Sequence, residues 1–264
     1  MARDRPTLPG IGGILLNIAV IGTGYVGLVS GICYAELGHT VICVDKDPFK
    51  ISTLQNGGIP IYEPGLEELS AKNVAAGRLS YTSDLQAAVR GAELVIIAVG
   101  TPPLPSGEAD LAYIDAASLE IAEALPAGAI VAVKSTVPVG TNERVRDRIR
   151  SRTNVPFSSV SLPEFLREGS AIRDTMEPDR VVIGSESRDA AEKVAELHRP
   201  LTDKIMITDL RSAELLKYAS NAFLATKISL INEIANICEK VGADVTQVAE
   251  GMGFDRRIGP AFLQ

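Results

Sequence analysis

The sequence has no tryptophan, three cysteines, two histidines and an aromatic content of only 5% over 264 residues. Cys33, Cys43 and Cys238 sit in apolar helix or strand patterns, and no two of them stand at metal-ligand spacing. That excludes a zinc ribbon and a disulfide framework, and leaves reduced core thiols in a cytoplasmic protein as the expectation. His39 and His198 fall at a turn and at a helix end, so both are expected at the surface rather than as metal ligands. There is no excess of positive charge either. A formal net charge of −7 argues against a nucleic-acid surface, though not against a local basic pocket for a phosphate. No apolar run reaches membrane-spanning length, so no membrane partner is expected. Met1 to Gly13 carries Arg, Pro and Gly without an apolar core and cleavage site, and reads as a flexible leader rather than a signal peptide. Repeats of solenoid length are missing too.

What is present is a chain of ordinary charge and 46% hydrophobic content, long enough for one large domain or one domain plus a smaller one. Ile18 to Asp45 organises it. A continuous apolar run with β-branched residues reads as a strand buried on both faces. It breaks into Gly22, Gly24 and Gly27 at G-x-G-x-x-G spacing. A helix follows, with Val26, Val29, Cys33 and Leu37 near helical spacing and Gly38 as its stop. A second strand, Thr40 to Val44, ends at Asp45. Gly22 permits a tight turn, Gly24 lets a pyrophosphate approach the backbone, and Gly27 lets the helix pack closely on the strand. The helix N-terminus then faces the phosphates. Asp45, ~20 residues past the glycines, can accept bonds from a ribose 2′-hydroxyl and would repel a 2′-phosphate, which indicates NAD rather than NADP.

Further along, Pro48 starts a helix running to about Asn56. The stretch Ile61 to Leu69 opens another that ends near Gly77, and Ser83 is expected to cap a short one. Strands are expected at Leu79–Thr82, Glu93–Val99, Ala129–Ser135, around Val160, Arg180–Ile183 and Lys204–Ile207. Helices are expected at Tyr113–Leu125, Thr141–Arg150 and Asp189–His198. This alternation indicates an α/β fold with a doubly wound parallel sheet, whose ligands bind at the carboxyl ends of the strands. Those ends carry Gly22, Asp45, Thr101, Thr136 and the Pro163-Glu164 turn. From Asp209, which can cap its start, to Val241 there is no Gly or Pro, so one helix of roughly 50 Å is expected. Leu216, Ala219, Phe223, Leu230, Ile234, Ile237 and Val241 form its apolar stripe, with more apolar surface than the remaining chain can cover. A second subunit or further sequence would cover it. Asp244 caps a last short helix. The expected division is a leader at 1–13, a Rossmann-like domain at 14–208, and a long connecting helix with a partial all-α domain at 209–264.

The candidate chemistry is hydride transfer. Lys217 and Asn221 share a helix face at i, i+4 and can hold a developing alkoxide. Glu164, or a water ordered by Thr136, can take the proton. Thr136 before Val137-Pro138 also reads as a helix cap, Lys217 as a solvated charge, and Glu164 as a surface ion-pair partner.

At these residues the sequence resembles the UDP-glucose dehydrogenase family within the nucleotide-sugar dehydrogenases. The resemblance runs from about Asn17 to Leu263. It rests on Gly22–Leu28, Ile61–Leu69, Ala98–Pro103, Lys134–Thr141, Pro163–Ala171 and Arg211–Phe223. It implies a Rossmann domain followed by a long helix and the start of an all-α dimerisation domain. It also implies NAD-dependent oxidation of the C6 alcohol of UDP-glucose, or a related UDP-sugar, to the carboxylate in two steps, and a homodimer formed through the long helix. By the same resemblance Gly22, Gly24, Tyr25, Val26 and Gly27 hold the cofactor's phosphates, Asp45 and Lys50 its adenosine ribose, and Thr101, Thr136 and Glu168 the rest of it. Glu164, Phe165, Leu166, Lys217, Asn221 and Arg257 are implied at the sugar nucleotide. Glu164 serves water or acid–base work, Lys217 and Asn221 the oxyanion at C6, and Arg257 the neighbouring subunit's site.

Two departures accompany the resemblance. Leu162 stands where the family usually has Asn before Pro-Glu-Phe, and cannot make an amide's hydrogen bonds. The family's nucleophilic cysteine lies in a Gly-rich loop beyond the equivalents of Phe262-Leu263, and none of Cys33, Cys43 and Cys238 matches it. The second oxidation needs that thiolate, so the expectation is a truncated polypeptide without the full reaction. The alternatives are a non-catalytic NAD-binding fragment, half of a split enzyme, or a β-hydroxyacid dehydrogenase, which needs no cysteine. The Ile61–Gly65 and Pro163–Gly169 stretches speak against the last.

Overall fold

The computed structural model describes residues 15–263, so the leader expected at 1–13 and the terminal Gln264 lie outside the described residues. The chain divides into two compact units, 1–215 and 216–264.

The first unit is built on a sheet of strands β1 (Asn17–Ile21), β2 (Thr40–Val44), β3 (Leu79–Thr82), β4 (Leu94–Ile97), β5 (Ile130–Val133), β6 (Ser158–Ser161), β7 (Val181–Ser185) and β8 (Ile205–Thr208). They lie in the order β3-β2-β1-β4-β5-β6-β7-β8. The first six are parallel, as expected of strands covered on both faces. The doubly wound parallel sheet expected from the sequence is present, with one local difference: β7 runs antiparallel to β6, and β8 is parallel to β7.

Alternation along each strand separates two apolar layers. Ile18, Val20, Leu94, Ile96, Ile130 and Ala132 face one layer. Ala19, Ile21, Val95, Ile97, Val131 and Val133 face the other. Helices α1 (Tyr25–Glu36), α2 (Pro48–Gln55), α3 (Leu66–Ala75), α7 (Ala171–Met176) and α8 (Arg188–His198) cover the first layer through residues such as Leu28, Ile32, Leu54, Leu66 and Val194. Helices α4 (Leu85–Arg90), α5 (Ala112–Ala122) and α6 (Thr141–Arg150) cover the second through Val89, Ile114, Ile121, Val145 and Ile149.

Several local expectations change. Helix α3 begins at Leu66 rather than within Ile61–Pro64, because Pro64 is followed by Gly65 in a left-handed conformation with φ 80°. The cap of α4 is Asp84, whose carboxylate accepts the Ala87 N–H, and not Ser83. Helix α7 had no counterpart in the sequence reading. Both histidines are buried rather than exposed. The Leu16 N–H donates to His39 Nδ1 at 3.1 Å. His198 Nδ1 lies 2.8 Å from the Val194 carbonyl, which can only accept, so Nδ1 carries the proton. His198 Nε2 therefore accepts from the Tyr34 hydroxyl at 3.1 Å. Each ring replaces its water with fixed partners, which makes burial tolerable. All three cysteines are free and buried, as expected.

Helix α9 (Leu210–Val241) begins in the first unit and continues into the second, where α10 (Val245–Gly253) follows. Asp209 and Asp244 cap these two helices as the sequence indicates, accepting the Ser212 and Thr246 N–H groups. In the second unit Ile231, Ala249 and Leu263 form a small core with Ile234, Val245 and Met252. Much of the apolar stripe stays open, with Phe223 at 65% and Val241 at 70% exposure. Among the described residues no helix is long and apolar enough to cross a membrane.

Candidate functional site

Register brings five strand ends to one edge. Val44 and Ile97 both pair with Ile21, Val133 pairs with Ile97, and Ser161 pairs with Val133. The segments that follow therefore leave the sheet side by side, beginning at Gly22, Asp45, Ala98, Lys134 and Leu162. Strand order reverses between β1 and β4, with β2 and β3 added on one side and β4 to β6 on the other, and this is the crevice where such sheets take their ligands.

The glycine turn occupies this crevice. Gly22 has φ 104°, and a β-carbon there would lie 2.7 Å from the Ala98 carbonyl oxygen. At Gly24 nothing lies within 4 Å of where a β-carbon would be, and no side chain caps the start of α1. Open space and an uncapped helix N-terminus suit a phosphate group.

Asp45 closes the adjoining side. Its Oδ2 accepts from the Thr23 N–H and the Thr23 hydroxyl, both at 2.8 Å, and its Oδ1 accepts the Asp47 N–H at 3.0 Å. Lys50 Nζ stands 3.6 Å from Oδ2. Partial burial pushes this carboxyl up, but the Thr23 and Asp47 hydrogen bonds and the Lys50 charge outweigh it, and the group is held below the usual carboxylate range. Two carboxylate oxygens offer about four acceptor positions, so three bonds leave room for a sugar hydroxyl. Beside it, Lys46 sits over the Tyr113 ring at 4.3 Å.

The ends of β4 and β5 are stitched together. The Thr101 hydroxyl donates to the Thr136 carbonyl at 2.9 Å, and the Ser135 hydroxyl to the Val99 carbonyl at 2.7 Å. Thr136 is not a helix cap, since α6 starts at Thr141 behind Gly140. The loop after β6 starts from Leu162, which is buried in the first apolar layer and donates its N–H to the Val133 carbonyl at 2.9 Å. Leu162 is thus a core anchor for this loop. Glu164 Oε2 accepts the Leu166 N–H at 2.5 Å. The Phe165 ring lies 4.0 Å from the Arg180 guanidinium, and Arg167 pairs bidentately with Asp174. Glu168 is exposed.

Three residues given no role in the sequence reading are central here. Thr23 orients Asp45. Glu63 joins Tyr25 and Gly169. Glu214, buried at the start of α9, accepts from the Gly140 N–H at 2.6 Å, the Asn142 N–H at 2.8 Å and the Asn142 side-chain amide at 2.7 Å. The G-T-G and Y-E-P-G stretches held the first two in plain view, but their partners are too distant in sequence to be inferred.

The second unit carries Lys217, Asn221 and Arg257. Lys217 is buried, against the reading of a solvated charge, and Asn221 one turn later is exposed. Arg257 is exposed and its guanidinium holds Asp255. Among the described residues no group of His, Cys, Asp and Glu is placed to hold a metal ion.

Two family models match the chain. Residues 16–202 match the NAD-binding domain of the UDP-glucose/GDP-mannose dehydrogenase family, and residues 211–264 its central domain. The chain is 56% identical over 250 residues to UDP-glucose 6-dehydrogenase TuaD of Bacillus subtilis, an alignment covering 94% of this chain and 54% of that protein. It is 54% identical over 256 residues to the UDP-glucose 6-dehydrogenase of Rhizobium meliloti, covering 94% and 58%. Among solved structures, a UDP-glucose dehydrogenase from the archaeon Pyrobaculum islandicum superimposes with a TM-score of 0.93 at 41% identity. That match covers 97% of this chain and 61% of the other. The chain spans somewhat more than half the length of the curated relatives it matches. A Rossmann sheet, a glycine turn closed by an acid, and two matching domains in order place the chain in the UDP-glucose/GDP-mannose dehydrogenase family.

Proposed function

We propose that the chain binds NAD and supplies the cofactor half of a UDP-glucose 6-dehydrogenase. The observation that carries this reading is the Gly24 opening beside the Thr23-oriented Asp45 carboxylate. Gly22, Gly24, Tyr25, Val26 and Gly27 would hold the pyrophosphate against the start of α1. Asp45 and Lys50 would hold the adenosine ribose, and Thr101, Thr136 and Glu168 the remainder of the dinucleotide. Bound NAD supplies a hydride acceptor.

The protein's own residues do the rest. Glu164, with Phe165 and Leu166 beside it, takes the proton released when an alcohol becomes a carbonyl, or passes it through a water held by Thr136. Lys217 and Asn221 stabilise negative charge on the C6 oxygen, and Arg257 contacts the sugar nucleotide of a second copy. The substrate is UDP-glucose or a related UDP-sugar. The second oxidation requires a thiolate, which Cys33, Cys43 and Cys238 do not provide, because all three are buried and burial pushes the Cys33 and Cys43 thiols up to about 12. The open apolar residues of α9 support a homodimer through that helix, and the buried free thiols suit a cytoplasmic location.

A chimera tests the reading. This sequence, continued by the C-terminal portion of the B. subtilis relative, should form NADH on addition of UDP-glucose. Lys217→Ala in it should lower kcat by about a hundredfold or more. Absence of NADH from a folded chimera, or turnover of a small 3-hydroxy acid by the chain itself, would refute it.

A further inference from the structure

Glu63 is nearly fully buried, at 7% exposure, in the loop between α2 and α3. Three donors from two other parts of the chain converge on its carboxylate. The Tyr25 hydroxyl donates to Oε2. The Gly169 N–H donates both to Oε2 and to the Tyr25 hydroxyl oxygen, at 2.9 Å each. The Ile172 N–H donates to Oε1 at 3.4 Å. Tyr25 is the first residue of α1, directly after Gly24. Gly169 and Ile172 bracket the end of the loop that follows β6 and carries Glu164 and Glu168. Burial, followed by the Glu63 hydrogen bond, pushes the Tyr25 hydroxyl up to about 12, so it keeps its proton at any working pH.

A Rossmann sheet has two mononucleotide halves. The β1–α1 turn and Asp45 serve the adenosine side, while the loop after β6 belongs to the opposite side, where the nicotinamide would lie. The Arg167–Asp174 and Phe165–Arg180 contacts hold that loop within its own half. The Glu63 contacts tie it to the glycine turn of the other.

We propose that Glu63 is a positioning residue, fixing the loop of Glu164 to Glu168 against the dinucleotide turn so that the nicotinamide half of NAD meets an ordered wall. It touches neither cofactor nor substrate and acts through Gly169 and Tyr25. This rests on the NAD reading above. Hydrogen bonds to a buried carboxylate are among the stronger ones, and removing one partner leaves the others unsatisfied. Losing the clamp therefore loosens the loop selectively, without touching the bonds that hold Asp45.

The test compares NAD with ADP, which fills the adenosine and diphosphate positions alone, by calorimetry on the full 264-residue chain. Glu63→Gln should weaken NAD about tenfold and leave ADP within about twofold. Glu63→Asp, which keeps the charge but shortens its reach by one methylene, should give the same pattern to a smaller degree, and decides the question should Glu63→Gln fail to fold. A parallel loss of NAD and ADP affinity would mean a merely structural role and overturn the proposal. So would unchanged NAD affinity, or a wild-type chain that binds NAD and ADP equally tightly. A wild-type chain that binds ADP but not NAD, or neither, overturns instead the underlying NAD reading.

Discussion

A β-carbon placed on Gly27 would fall 2.0 Å from the carbonyl oxygen of Gly22, so helix α1 meets the end of β1 with no room for a side chain. Gly24, two residues after Gly22, has nothing within 4 Å of the same position and φ −71°, which any residue can adopt. One glycine serves packing and the other serves space. Gly27→Ala should therefore cost about 2–3 kcal/mol of folding stability, whereas Gly24→Ala should cost less than about 1 kcal/mol. NAD affinity should fall at least about tenfold in the folded Gly24 variant, because the added methyl occupies the pyrophosphate's position. Urea unfolding and calorimetry on the two variants separate the roles; equal stability losses would contradict this division.

The acid limb of stability should carry the signature of His198. Burial lowers its pKa to about 4, against the pull of its bond to the Val194 carbonyl. Burial also lowers that of His39. Between pH 6.5 and 4 the unfolded chain takes up a proton that the folded chain refuses, so stability falls as pH falls through that window. His198 accounts for an effect on the order of 3 kcal/mol. His198→Gln, whose side-chain oxygen can still accept from Tyr34, should flatten most of the decline in the urea midpoint and leave the part due to His39. An unchanged decline would place the loss elsewhere.

Glu214 fastens the start of α9 to the N-terminus of α6. Glu214→Ala leaves the Gly140 and Asn142 N–H groups and the Asn142 amide without their buried acceptor. The expected cost is about 3 kcal/mol, read as a lower urea midpoint at unchanged slope. A loss below about 1 kcal/mol would mean that these donors find other partners.

Leu162 stands before the Pro163-Glu164 turn, where the resemblance leads to the expectation of an Asn. It is fully buried among apolar neighbours, and its N–H is already bonded to Val133. Leu162→Asn should destabilise the chain by about 2–4 kcal/mol rather than restore a missing hydrogen bond. A neutral or stabilising substitution would show that the pocket accepts an amide.

The parallel part of the sheet was legible in the sequence because β1, β2 and β4 are short apolar runs followed by breakers or polar residues, and because Gly22, Asp45 and Thr101 mark their ends. Asp209 and Asp244 were legible as caps because capping is local. The rest depended on distant contacts. The reversed direction of β7 is invisible in a run that reads like any other buried strand. His198 looked like a surface residue because its partner Tyr34 is 164 positions away. Glu63 looked like a motif residue without a task because Gly169 is 106 positions away. Gly65, left-handed at φ 80°, delayed the start of α3 in a stretch whose later residues are good helix formers.

Calorimetric titration of the 264-residue chain with NAD and with NADP reads whether the Gly22–Gly27 turn and Asp45 form an NAD site. NAD should bind saturably and NADP at least about tenfold more weakly, because the Asp45 carboxylate repels a 2′-phosphate. That difference should shrink in Asp45→Asn. No binding of NAD, or NADP bound as tightly as NAD, would contradict an NAD site there.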